Sequence, residues 1–199
     1  MSTNYAKAET LVGAVAAPLD GARSAALVAG FSLLVALAAQ VVVPLPWTPV
    51  PLTGQTFAVL LTGALLGPRL GALTLALYLA EGAVGLPFFR AGAGGAQHFA
   101  GPTAGYLFAF PAAAFLTGYL AERGWDRRFL TAAAAMFLGS LVILAGGWAW
   151  LSVLTGSASK AFSLGVAPFL VGDVVKIALA AAALPAGWAV LRRANATRR

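Results

Sequence analysis

Residues 169–184 read FLVGDVVKIALAAAAL, an apolar run interrupted by Asp173 and Lys176. A charge at hydrocarbon depth costs roughly 2.5–3.5 kcal/mol on insertion scales, so ionisable groups there face a protein interior or a wet cavity. Residues three apart share one face of a helix. Either the two groups neutralise each other, or they line a polar pocket inside a membrane bundle, and the surrounding sequence favours the pocket.

The 199-residue chain is 60% hydrophobic and only 10% charged, against about 25% charged in an ordinary soluble domain. Its mean hydropathy is +0.87. Apolar runs near the length of a bilayer crossing recur along it, which predicts an all-α integral membrane protein folded as one helical bundle. There is no cysteine, which excludes disulfides, thiol catalysis and thiolate metal sites, and a single histidine, His98, argues against a multi-histidine metal centre. Neither a metal nor a cofactor is expected.

Six spans are expected, at 25–43, 55–67, 70–84, 104–121, 129–153 and 167–191. They follow a cytosolic lead-in over residues 1–24, which lacks the pattern of a secretory signal, and precede a basic cytosolic tail over 192–199. The second and third are short for a bilayer that asks for about 20 residues, and Gly67-Pro68-Arg69 turns one directly into the other. Basic residues separate by loop. Ten (Lys7, Arg23, Arg69, Arg123, Arg127, Arg128, Arg192, Arg193, Arg198 and Arg199) fall on the side of the termini, against Arg90 and Lys160 opposite. The positive-inside rule then places both termini in the cytoplasm. The net charge of +7 is topological and does not indicate nucleic acid. Trp148 and Trp150 are expected at the outer interface, and Trp125 and Trp188 at the inner one, as aromatic anchors.

With that orientation, polar positions from four spans gather in the outer half. They are Gln55, Tyr78 with Glu81, Tyr106, and Asp173 with Lys176. Two outer loops stand over them. PLPWTPVPLTG (44–54) is stiffened by Pro44, Pro46, Pro49 and Pro51. GLPFFRAGAGGAQHFAGPT (85–103) is long and glycine-rich, as binding loops and lids often are. The fold expected is therefore a six-transmembrane-helix bundle with an outward-facing ligand pocket capped by loops. Each polar residue also has a plainer reading: Gln55, Tyr78 and Tyr106 as interhelical links, Glu81 and Arg90 as interfacial or loop charges, His98 as a loop residue. On the first span, Ala22, Ala26 and Gly30, with Ala25 and Ala29, form a small-residue face suited to close packing within the bundle or against another membrane subunit. No P-loop, H-E-x-x-H or G-x-S-x-G motif occurs, so binding has more support than catalysis. An intramembrane enzyme using Asp173 and Glu81 is the alternative from another class, and a purely structural membrane subunit a further one.

The stretch PLPWTPVPLTGQTFAVLLTGALLGPRLGALTLALYLAEGAVGLPFF (44–89), the segment GPTAGYLFAF (101–110) and the G-D-x-x-K of Gly172, Asp173 and Lys176 together resemble the BioY family. These are the substrate-binding S-components of energy-coupling-factor (ECF) biotin transporters. The likeness runs from about residue 25 to 191. It is specific because P-V-P-x-T-x-Q-T, L-G-x-R-x-G, G-L-P-x-F and G-P-T-x-G-Y follow in order. The resemblance implies a multi-pass protein of a prokaryotic cell membrane that captures biotin from outside. It further implies release inward with a transmembrane coupling subunit and ATPase subunits as partners. It makes Asp173 and Lys176 ligand contacts, with Arg90 a further group for the ligand's carboxylate or carbonyl, and Trp47, Phe88 and Phe89 a surface for its apolar parts. An S-component for another vitamin is the nearest alternative. The sequence departs from the family pattern in two places. The basic residue of the third loop stands at Arg90 rather than near Ala93, and Glu81 occupies a position where a neutral side chain is expected.

Overall fold

The computed structural model describes residues 10–16 and 18–197, so Lys7, Arg198, Arg199 and the first part of the lead-in lie outside the described residues. Among the described residues the regular structure is helical, apart from one small hairpin. Its helices are α1 (Leu11–Ala16), α2 (Gly21–Ala39), α3 (Gln55–Leu66), α4 (Pro68–Ala83), α5 (Ala104–Glu122), α6 (Phe129–Thr155), α7 (Ala158–Gly165) and α8 (Leu170–Ala196). Four helical stretches among the described residues are long and apolar enough to cross a membrane: Gly21–Ala39, Ala104–Glu122, Phe129–Thr155 and Ala158–Ala194. The other two expected spans are the 12-residue α3 and the 16-residue α4. At 1.5 Å per residue they reach only about 18 and 24 Å.

The first expected span is shifted. α2 begins at Gly21 because the Asp20 carboxylate accepts from the Arg23 backbone N–H at 2.8 Å, capping the helix. It stops at Ala39, and Val42–Val43 (β1) pairs antiparallel with Leu52–Thr53 (β2). The proline-rich segment is thus the connection of a β-hairpin. Prolines cannot donate ladder hydrogen bonds, so only the flanking residues pair. α7 is also additional to the expected elements. It starts at a Ser157 cap, and its end is tied to the hairpin by Thr48 Oγ1 donating to the Leu164 carbonyl at 2.6 Å.

α5 is the most buried of the four long stretches. It packs on α3, α4 and α6, while α2 packs on α4 and α8 on α6. Small residues permit these contacts. A Cβ on Gly63 of α3 would collide with the Ala114 carbonyl of α5, and one on Gly105 of α5 would collide with the Gly146 carbonyl of α6. Backbone-to-backbone approach of this kind suits helices in lipid, where association rests on close packing. Gly67, with φ +85°, ends α3 and leads straight into Pro68 at the start of α4. That conformation is open to glycine and not to a Cβ-bearing residue without strain.

At the opposite end of the bundle from the hairpin, Asp126 is 1% exposed between α5 and α6, and its Oδ2 accepts from Trp188 Nε1 at 2.6 Å. Trp188 is therefore a core residue, 4% exposed, and not the interfacial anchor expected. Burial pushes the Asp126 carboxyl above its ordinary range, opposed by the indole donor and by Arg127. The small residues of the α2 face, Ala22, Ala25, Ala26, Ala29 and Gly30, are all exposed.

Two outcomes follow. Gly63→Val should destabilise the protein by more than the ~1–3 kcal/mol typical of overpacking, because the obstacle is backbone. Gly30→Ala, with nothing within 4 Å, should stay within about 0.5 kcal/mol. Thermal unfolding in detergent compares them. A carboxyl whose folded pKa is raised contributes stability at low pH that is lost as pH rises through that value. Asp126→Asn should therefore gain on the wild type as the pH moves from acid to neutral, read as the difference in unfolding midpoints.

Candidate functional site

Buried positions along α8 recur every three or four residues: Asp173, Ala180 with Ala181, Leu184 and Trp188, with Ile177 partly buried in the same stripe. That helical spacing turns Asp173 inward, into the bundle. The end of α8 that carries it lies beside the hairpin, the start of α3, the start of α5 and the 85–103 loop. Together they enclose a cavity of about 640 Å³ of atom-free space, counting its open mouth.

One wall holds a satisfied polar cluster. Asp173 is 7% exposed; its Oδ2 accepts from Ser140 Oγ at 2.5 Å, and its Oδ1 lies 3.7 Å from Lys176 Nζ. Lys176 Nζ donates to Thr56 Oγ1 at 2.7 Å. The two groups pair with each other, as in the plainer reading, and both also line the cavity. Gln55 also lines it, receiving a hydrogen bond on Oε1 from Thr53 Oγ1 at 3.1 Å and donating to the Tyr78 hydroxyl. Phe89, Arg90 and His98 also line it, together with the apolar Leu107, Phe110 and Ile143. Arg90 Nε is buried with no hydrogen-bond partner among the described residues. Tyr106 lines the cavity with its ring, while its hydroxyl donates to the Gly165 carbonyl at 2.6 Å.

The structure brings Asp173, Lys176, Arg90, Gln55, Tyr106 and Phe89 to one cavity. It places the other four expected contacts elsewhere. Tyr78 is fully buried behind Gln55, and its hydroxyl donates to the Phe88 carbonyl at 3.0 Å. Phe88 itself is outside the lining. Trp47 is 63% exposed, because the hairpin connection carries it outward. Glu81 turns toward α2, where Ser32 donates to it, so its charge is spent between two helices and not in the cavity. Ala93, the position where a basic residue is expected from the family pattern, packs on the core. Sequence reading missed Ser140, Thr56 and Thr103, and passed over His98 as a loop residue. Single hydroxyls in apolar helices carry no periodic signal, and only the packing of α6 and α3 on α8 singles out Ser140 and Thr56.

The model of the BioY family matches residues 6–193. The probable biotin transporter BioY of Pyrococcus horikoshii is 46% identical over 159 residues, covering 80% of this chain and 92% of that protein. The biotin transporter BioY of Thermotoga maritima is 40% identical over 151 residues, covering 76% and 87% respectively. Among solved structures, the S-component for biotin from an ECF-type ABC transporter superposes with a TM-score of 0.76 at 25% identity, covering 82% of this chain and 89% of that one.

Ser140→Ala removes the donor to a buried carboxylate oxygen and leaves Asp173 under-satisfied. Ligand-free protein should lose about 1–3 kcal/mol of stability, measured by thermal unfolding in detergent, and Ser140→Thr should recover part of it.

Proposed function

This chain belongs to the BioY family, and from that premise we infer that it is a biotin-binding S-component of an ECF-type transporter, acting in biotin uptake and not as an enzyme. The observation that carries the reading is the pairing of chemistries in one cavity. The lining combines a carboxylate with its paired ammonium, a guanidinium whose Nε is buried without a partner among the described residues, and apolar side chains. Biotin offers a ureido ring with two N–H donors and a carbonyl, an apolar bicycle and chain, and a terminal carboxylate. Asp173 Oδ1 suits the ureido N–H groups, with Lys176 beside it for the carbonyl. Arg90, which has no partner at Nε, suits the ligand's carboxylate through a charge-assisted pair. Phe89, Phe110 and Tyr106 cover the apolar parts, and Gln55, held by Tyr78, adds a polar contact.

The protein resides in a prokaryotic membrane. We take α2, α3, α4, α5, α6 and α8 as six crossings, with the short α3 and α4 shielded by protein at their ends and α7 lying along the surface. The excess of arginine on the side of the termini supports cytoplasmic ends, which makes the mouth of the cavity outward-facing. The exposed small-residue face of α2, Ala22, Ala25, Ala26, Ala29 and Gly30, is the surface we assign to the transmembrane coupling subunit, with ATPase subunits supplying the energy this chain has no P-loop to harvest.

Calorimetric titration of the purified chain in detergent tests the reading. Biotin should bind saturably, and thiamine and riboflavin should give no heat. Asp173→Asn and Lys176→Met should each weaken biotin binding, by about tenfold or more if one charged hydrogen bond is lost, while remaining folded. Wild-type affinity in both variants would remove these two residues from the site. A response to another vitamin instead would keep the S-component and overturn the ligand.

A further inference from the structure

Arg90 reaches the cavity from an unusual piece of backbone. Ala91 has φ +54° and ψ +36°, the only left-handed non-glycine residue among those described, and Gly92 follows with φ +73°. A residue bearing a Cβ is seldom found there unless its surroundings hold it. Part of the holding is local: Phe89 N–H donates to the Ala93 carbonyl at 2.8 Å, and Ala93 N–H donates to the Arg90 carbonyl at 3.1 Å. The buried Phe89 ring anchors one side, edge-on to Tyr78 and closing on Gly82.

The rest comes from Gln40, the residue that ends α2. Its side-chain amide brackets the turn. Oε1 accepts from the Gly92 N–H at 2.7 Å, and Nε2 reaches the Phe89 carbonyl at 3.3 Å. The same Nε2 donates to the Ala36 carbonyl at 2.8 Å, which fixes the amide to α2's own last turn. One side chain thus binds the residues on both sides of Arg90 and Ala91 and ties them to a helix end.

We propose that Gln40 is the positioning residue for Arg90: it holds the Phe89–Gly92 turn in its left-handed conformation and so aims the guanidinium into the cavity. Gln40 itself is not among the residues that line the cavity. It acts by fixing backbone, and because it belongs to α2, a shift of that helix is felt at Arg90. The positional half of this inference stands on geometry alone, and the affinity half rests on the biotin reading of the cavity.

Gln40→Leu keeps the bulk of the side chain and removes both hydrogen-bonding ends. Two measurements on the full chain in detergent separate the halves. Amide hydrogen exchange over residues 85–95, without ligand, should speed up in the variant, with Gly92 most affected; unchanged exchange overturns the clamp whatever the ligand is. Titrations with biotin and with biotin methyl ester, which lacks the negative charge, test the consequence. Biotin should bind about tenfold more weakly to Gln40→Leu, as expected for a lost charge-assisted contact, while the ester binds both proteins alike. In an Arg90→Ala background, Gln40→Leu should cost nothing further. An equal loss for both ligands means a merely structural role and overturns the proposal, as does an unchanged biotin affinity. If wild-type protein binds neither ligand while exchange still rises in the variant, the clamp stands and it is the biotin reading that falls.

Discussion

Hydrocarbon offers no hydrogen bonds, so each polar group carried into this bundle has to find its partner in protein. That constraint organises the cavity. Asp173 is answered by Ser140 on α6 and by Lys176 on its own helix, and Lys176 by Thr56 on α3. Three helices are thereby held in register around one wall. Tyr78 and Gln55 do the same for α4 and α3, and Tyr106 for α5 and the end of α7. The links sit at the end of the bundle that carries the hairpin and the glycine-rich loop. Among the described residues three buried side-chain atoms lack a partner, Thr62 Oγ1, Asp126 Oδ1 and Arg90 Nε; of these only Arg90 lines the cavity, and a cationic group left so is a natural place for a ligand's opposite charge.

The membrane class, the helices and the principal pair were legible in the sequence because each rests on a local regularity. Apolar length marks the long helices, and a charged pair in an apolar run marks a buried polar cluster. What the sequence did not disclose depends on contacts between distant segments. The β1–β2 pairing turns a proline-rich loop into a hairpin, and nothing in Val42–Val43 alone asks for it. Trp188 looked like an anchor because it stands near the end of a span, yet Asp126, 62 residues away, draws its indole into the core. Glu81 looked available to a ligand for want of any visible partner, and Ser32 on α2 is that partner.

α2 has two different faces to serve. Toward the bundle it buries Val28, Ser32, Val35, Ala36 and Ala39 and joins α4 through Ser32 and the 85–95 loop through Gln40. Away from the bundle its first half shows small side chains apart from Arg23. A helix built this way is anchored on one side by named polar links at its far end and left smooth on the other.

The close helix crossings have a consequence for how such a sequence can drift. A side chain that grows can be accommodated when the side chain opposite shrinks. At Gly63 and Gly105 the opposing atoms include main-chain carbonyls, which no substitution can trim. A change at either position has no second-site remedy in the helix it faces, and the freedom of the lineage to vary falls instead to exposed apolar residues such as Leu33, Leu37 and Phe137.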